Sequence, residues 1–97
     1  MSDVHFDLVR HALALHLEVP ASSLALDDRL AEDLGLDPLD VVLVTLRLEE
    51  LESVELPVAA LEAVATVRDL TAFVRRRAAA RPPARSYVAS LAKAVGQ

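Results

Sequence analysis

Apolar side chains recur every three or four residues along most of the chain, which is the spacing of one face of an α-helix. The first such stretch covers residues 3–17, and either Ser2 or Asp3 can cap its start. Its apolar stripe consists of Phe6, Val9, Leu13 and Leu17. The pattern therefore predicts a first helix over about residues 3–17.

Residues 18–36 form a long connection that contains leucines at positions 24, 26, 30 and 34 and ends at Leu36. A structureless loop of that length is unusual in a compact domain, so we expect short helical turns around residues 20–24 and 30–33. Gly35 then supplies a backbone position where a positive φ is readily adopted.

The second helix is predicted to begin at Pro38 and to run to about Glu52. Asp37 is a favourable N-cap, and Pro38 falls on the first helical position, where its missing N–H is no loss. Asp40 adds negative charge in the first turn, which complements the helix dipole. Residues 53–57 end this helix.

This second helix has two apolar sides at about 100° per residue. One side consists of Val41, Val44, Leu48 and Leu51, and the nearly opposite side of Leu39, Val42, Leu43 and Leu46. Either both sides are buried, the second under the C-terminal segment or a neighbouring helix, or the second side is a partner surface with Glu49 and Glu50 at its edge.

The remaining pattern predicts one short helix and one long one. Residues 58–65 favour a short, weak helix, and Thr66 to Asp69 resembles a capping box. A third main helix is predicted from Val67 to about Arg77. Its inward residues are Leu70, Phe73 and Val74.

A proline pair at residues 82–83 separates the C-terminal segment from this bundle. Beyond it, four apolar positions repeat at helical spacing, in a stretch too short to be a stable helix unless it docks. These positions are Val88, Leu91, Ala92 and Val95. We therefore expect an all-α fold with a bundle over residues 1–77 and a basic linker with a C-terminal amphipathic helical extension over residues 78–97.

Charge divides the chain in the same way. Residues 1–74 hold all 15 acids and four bases, a net charge of −11, whereas residues 75–97 hold six bases and no acid, a net charge of +6. The acidic body favours a basic protein partner over nucleic acid. The basic segment could bind nucleic acid or an anionic membrane, but we expect it to fold back on the acidic body to which it is covalently joined. No apolar run reaches the roughly 20 residues of a membrane span, no secretory signal is recognisable and cysteine is absent, so we expect a cytoplasmic protein without a membrane partner.

The run LAEDLGLDPLD, residues 30–40, resembles the signature of the acyl carrier protein family, in which an acidic-Leu-Gly turn leads into Asp-Ser-Leu. Four later pieces match the family at its own spacing: Glu49-Glu50, Glu55-Leu56-Pro57, Thr66-Val67 and Phe73-Val74. The resemblance covers about residues 3–76. It implies a right-handed bundle of three main helices and one short one, and a carrier rather than an enzyme.

Members of this family carry acyl or related intermediates on a 4′-phosphopantetheine arm, and their second helix binds partner enzymes. The resemblance thus implies a docking surface for a basic or apolar face of an enzyme in fatty acid, polyketide or peptide assembly. The partner-binding residues implied are Asp37, Leu39, Asp40, Val42, Leu43, Leu46, Glu49 and Glu50.

Pro38 stands where the family has its attachment serine. The arm is joined through a phosphodiester, which needs a side-chain hydroxyl, and proline has none. The nearest hydroxyls are those of Thr45 and Ser53, so we expect Pro38 to be unmodified and the chain to hold no cofactor. Two other residues depart from the family pattern. Leu43 stands where the family often has an acid on the recognition face, which implies weaker electrostatic steering of a partner. Glu52 stands where the family often has a buried aromatic residue, which implies shifted packing there.

Three hypotheses follow. The first is an arm-free docking or regulatory module, the second a carrier that uses another attachment site or binds acyl chains non-covalently, and the third a self-associating structural protein that uses its C-terminal segment. We expect no catalytic residue and no metal site. His5 and His16 lie on one side of the first helix but about 16 Å apart, so they cannot share a metal ion and are best explained, with His11, as surface or rim residues.

Overall fold

The computed structural model describes residues 3–80, which form three α-helices and two 3-10 helices. In chain order these are α1 (Val4–Leu17), a 3-10 helix (Ala21–Ser23), α2 (Pro38–Glu52), a second 3-10 helix (Val58–Ala63) and α3 (Val67–Ala80). Helix α1 packs against both α2 and α3. The predicted all-α bundle of three main helices and one short one is confirmed, and the predicted helical extension over residues 81–97 lies outside the described residues.

Side-chain caps set the starts of the helices. The Asp3 carboxylate accepts hydrogen bonds from the backbone N–H groups of His5 and Phe6, at 3.0 and 3.2 Å. At α3, the Asp69 N–H donates to the Thr66 hydroxyl, and the Asp69 carboxylate accepts from the Thr66 N–H, both at 3.1 Å. The predicted caps of α1 and α3 are confirmed. They could be predicted from the sequence because each cap joins residues only two or three positions apart.

Helix α3 runs three residues past its predicted end at Arg77. The extra turn consists of Ala78, Ala79 and Ala80, and alanine has the strongest intrinsic preference for the helical state. The prediction gave too much weight to the proline pair that follows.

The connection between α1 and α2 is held down at several points, as expected from its leucines. Leu24, Leu30 and Leu36 are buried. The backbone N–H of Leu30 donates to the Ala65 carbonyl at 2.9 Å, and the N–H of Val67 donates to the Asp28 carbonyl at 3.0 Å. The connection is therefore tied to the start of α3.

The core lies between the three helices and is built almost entirely of aliphatic side chains. Among its fully buried members are Val9, Leu13, Val44, Leu48, Leu56, Val67, Leu70 and Val74, with Phe73 as its buried aromatic ring. Within residues 3–80, no helix combines the length and the apolar character needed to cross a membrane.

Two histidines link α1 to α2 and show that these helices run antiparallel. His5, at the beginning of α1, lies 2.9 Å from the Glu52 carboxylate at the end of α2. His16, at the end of α1, lies 2.9 Å from the Asp40 carboxylate in the first turn of α2. Both are half-buried rim residues, and their carboxylate partners could not be read from spacing along one helix.

Candidate functional site

The start of α2 is fixed by a reciprocal capping box. The Asp40 N–H donates to the Asp37 carboxylate at 2.8 Å, and the Asp37 N–H donates to the Asp40 carboxylate at 3.0 Å. Pro38 occupies the first helical position between them and is exposed. Its fixed φ suits this place, so proline favours the start of α2 at this residue.

The Asp40 carboxylate is held by two elements at once. The backbone N–H of Asp37, and then the His16 side chain, keep the pKa of Asp40 below its usual value. Because one carboxylate oxygen contacts Asp37 and the other contacts His16, Asp40 is committed to internal contacts. Glu49 is engaged similarly, since its carboxylate accepts from the Leu56 N–H at 2.8 Å.

One side of α2 exposes apolar side chains to solvent. Leu39 is 65% exposed, Leu43 46% and Leu46 48%, with Val42 half-buried at their edge. Glu50 is exposed on the same side. No part of residues 3–80 buries these leucines. In the described part of the chain, the second apolar side of α2 is therefore exposed to solvent.

The buried side of α2 is centred differently from the prediction. It contains Val44, Thr45 and Leu48, whereas Leu51 is 44% exposed and therefore was wrongly grouped with the core. At about 100° per residue, the buried direction lies between Val44 and Thr45, which places Glu52 on the inner side and Leu51 near its edge. The Glu52 side chain is only 10% exposed and contacts His5.

Side-chain hydroxyls on α2 do not suit attachment of a pantetheine arm. Pro38 has none. Thr45 is 2% exposed, and its hydroxyl donates to the Val41 carbonyl at 2.7 Å. Ser53 caps the far end of the helix, about 22 Å along the axis from Pro38 at 1.5 Å per residue. The residues present at the start of α2 thus do not fit a phosphodiester-linked group.

A cleft of about 600 Å³ opens beside Pro38, between the start of α2 and the second 3-10 helix. Its apolar walls include Leu30, Leu36, Val41, Val42, Leu61 and Val64. Three carboxylate residues, Glu32, Asp37 and Glu62, also line it. Sequence reasoning missed this cleft because its walls come from three separated segments.

Metal-ligating side chains do not gather in the described part of the chain. Among residues 3–80, no three His, Asp or Glu side chains converge in a way that could hold a metal ion. The two histidine–carboxylate contacts lie at opposite ends of the α1–α2 interface.

Most of the described chain is similar in sequence to a known family. A family model described as "Phosphopantetheine attachment site" matches residues 7–74. The chain belongs to the acyl carrier protein family. Similar proteins include acyl carrier proteins of Sulfurovum sp., 39% identical over 71% of this chain and 92% of the relative, and of Helicobacter hepaticus, 36% identical over 71% and 91%. An acyl carrier protein of Campylobacter hominis is 32% identical over 71% of this chain and 87% of its own length.

Membership in the acyl carrier protein family decides one prediction. Acyl carrier proteins are carriers and not enzymes, which confirms the expectation that the chain is not an enzyme. The family's cofactor is phosphopantetheine, and its members dock with biosynthetic enzymes.

Proposed function

We propose that this chain is an arm-free member of the acyl carrier protein family that acts as a docking or regulatory module in or beside a fatty acid, polyketide or peptide assembly pathway. The observation that carries this proposal is Pro38 at the first helical position of α2, where the resemblance aligns the attachment serine. Its capping box is intact while its side chain offers no oxygen.

The chemistry of attachment supports an arm-free chain. A phosphodiester forms only when a hydroxyl oxygen attacks phosphorus, and the ring of Pro38 has no such atom. The Thr45 hydroxyl is buried and already donates a hydrogen bond, and the Ser53 hydroxyl stands at the other end of α2. A modifying enzyme that reads the helix start would find no nucleophile there.

The exposed side of α2 supports docking. Full burial of an exposed leucine is worth about 1.5–3 kcal/mol, and Leu39, Leu43 and Leu46 each have roughly half of that surface left to bury against a partner. This contribution to affinity does not depend on the electrostatic steering that a more acidic face would provide. We propose an apolar partner surface with basic groups at its rim. Those basic groups would face the acidic residues that flank the leucines, first of all the exposed Glu50, since Asp37, Asp40 and Glu49 already accept hydrogen bonds from backbone N–H groups of the chain.

Intact mass after co-expression with a phosphopantetheinyl transferase tests the arm-free state. The wild-type chain is expected to keep its unmodified mass, whereas Pro38→Ser is expected to gain the mass of the arm. Peptide mapping would locate any modification, and Ser53→Ala serves as the matched variant at the other end of α2. A pantetheine adduct on the wild-type chain would overturn the proposal.

The cleft beside Pro38 favours a second candidate function, the non-covalent binding of an apolar chain. Its walls are apolar, but Glu32, Asp37 and Glu62 line it, so a fatty acid carboxylate would be repelled and a neutral ester or amide preferred.

Titration with a fluorescent neutral lipid tests this candidate. Leu61→Trp should fill the cleft and weaken binding, Ala60→Trp on the same 3-10 helix but outside the cleft should not, and equal binding by both variants would contradict it.

Location and the remaining partners stay predictions. We propose a cytoplasmic protein whose partner is neither nucleic acid nor membrane, on the basis of its acidic body and its relatives. Genes encoded beside this one would test the pathway, since a neighbouring synthase or ligase would supply the partner for direct binding measurements.

A further inference from the structure

Three histidines lie on α1, and two of them contact carboxylates of α2. His5 Nδ1 lies 2.9 Å from a Glu52 oxygen, and His16 Nε2 lies 2.9 Å from an Asp40 oxygen. His11, between them in sequence, is exposed. The two contacts are 11 residues apart on α1, about 16 Å along its axis, so they join the helices at both ends of their interface.

At the end of α1, the His16 ring contacts the carboxylate of Asp40, which also belongs to the capping box at the start of α2. Asp40 contacts His16 through one oxygen and the Asp37 N–H through the other. Two further charged residues of α2, Arg47 and Glu50, line the same surface depression as His16. These two residues carry opposite charges, and Asp40 is the residue whose carboxylate lies within hydrogen-bond distance of the imidazole.

At the beginning of α1, the His5 ring contacts the carboxylate of Glu52. The Glu52 side chain is more deeply buried than that of Asp40, so its contact is screened less by solvent. The other charged groups nearby are Asp3, which accepts from the His5 backbone N–H, and Arg75 of α3, which pairs with Asp3. Glu52 is the residue whose carboxylate lies within hydrogen-bond distance of the His5 ring.

Both contacts change strength when the imidazole changes charge. A carboxylate attracts the protonated imidazolium more strongly than the neutral ring, which can only share an N–H. Histidine is the side chain that changes charge between about pH 5 and 8. We propose that His5 and His16 form a pH-responsive latch, which binds α2 to α1 at both ends most tightly when both imidazoles are protonated and loosens as pH rises.

The latch would act on the helix that carries the proposed docking side, because α2 alone contains Leu39, Leu43 and Leu46 as well as both carboxylates. That consequence rests on the proposed function. The latch itself does not, since it concerns contacts within the purified chain. Its failure would therefore leave the docking proposal standing, and an undocked chain could still contain a working latch.

Carboxyl carbon resonances in the wild-type protein provide the direct test. As the imidazoles lose their protons, the side-chain carboxyl ¹³C shifts of Asp40 and Glu52 should move with the ring resonances of His16 and His5 respectively. His11 supplies the control on the same helix, and no carboxyl resonance should follow its titration as closely. Carboxyl shifts of Asp40 and Glu52 that stay constant while His5 and His16 titrate would overturn the proposal.

Thermal unfolding of matched variants gives a second, independent readout. Between pH 5.5 and 8.0 the Tm of the wild-type chain should fall by about 4–8 °C, as expected for two partly buried pairs in a domain of this size. His5→Gln with His16→Gln keeps hydrogen-bonding groups without the charge and should reduce this fall by at least half. His11→Gln should keep the wild-type profile, and an equal fall in the double variant and in His11→Gln would overturn the latch.

Discussion

At the scale of single residues, three backbone positions between residues 3 and 80 adopt left-handed conformations. Gly35 has φ of 69° in the turn before α2, while Glu18 and Ser53 have φ of 57° and 55° at the ends of α1 and α2. Residues with a Cβ atom adopt this region at a cost of roughly 1–2 kcal/mol. The chain uses glycine at one of these positions and accepts the cost at the other two.

Replacing Gly35 by alanine isolates the backbone cost. A Cβ atom at this position would meet no other atom within 4 Å, so no clash adds to the effect. Gly35→Ala is expected to lower the free energy of unfolding by about 1 kcal/mol, measured by urea denaturation. Gly35→Asn should cost less, because asparagine tolerates this conformation, and equal losses in the two variants would contradict the explanation.

At Ser53, substitution is expected to change the free energy of unfolding in the opposite direction. Ser53→Gly removes the strain of the left-handed position at the end of α2 and is expected to raise the free energy of unfolding by about 0.5–1 kcal/mol. Ser53→Ala keeps that strain and serves as the control, since Ser53 contacts the Glu49 carbonyl through its backbone N–H. A destabilised Ser53→Gly variant would show that the serine side chain matters more than its φ angle.

Residue-level features differed in how far the sequence revealed them. Pro38 at the first helical position and Asp37 as its cap followed from local chemistry, because both act within one turn. The contact between His5 and Glu52 did not, because it joins residues 47 positions apart. The inward direction of Glu52 also depends on where α1 meets α2, and a shift of less than one residue's rotation exchanges it with Leu51.

At the scale of elements, α2 has one buried side and one exposed side, both apolar. Leu48 is fully buried, whereas Leu43 on the other side is 46% exposed. The sequence showed both sides but left open whether the second is buried as well, because each has the same helical spacing. Burial against the other helices, and not hydrophobicity, separates them.

Alanine substitution on the two sides of α2 tests this division. Leu48→Ala leaves a cavity in the core and is expected to lower the free energy of unfolding by about 2–5 kcal/mol. Leu43→Ala should lower it by less than about 1 kcal/mol, because its side chain already contacts water. Urea denaturation of the two variants measures both values, and a similar loss at Leu43 would mean that another part of the chain covers it.

At the scale of the whole molecule, acidic residues stabilise the fold as well as giving the body its charge. Hydrogen bonds from backbone N–H groups are the largest cause that lowers the pKa values of Asp3, Asp33, Asp40 and Asp69. Three of these residues belong to the starts of α1, α2 and α3. The bundle is therefore assembled from helices whose first turns all depend on an ionised carboxylate.

This dependence predicts instability in acid with a definite sign. A carboxyl whose pKa is lower in the folded chain than in the unfolded chain stabilises the fold at pH values above the unfolded pKa, near 4 for aspartate. That stabilisation is lost progressively as pH falls through the folded values. Urea midpoints should thus be nearly independent of these groups between pH 5 and 6 and should fall steeply below pH 4.

Asp69→Asn and Asp27→Asn separate capping from charge in that acid transition. Asp69 accepts from the backbone of Ala65 and Thr66, whereas Asp27 is a surface residue that contacts Arg68. Both variants remove one negative charge from a body with a large excess of acids, so a general charge effect would change their acid profiles alike. Loss of an ionised cap predicts instead that Asp69→Asn starts less stable at pH 6 and loses less between pH 5 and 3, while Asp27→Asn follows the wild-type curve.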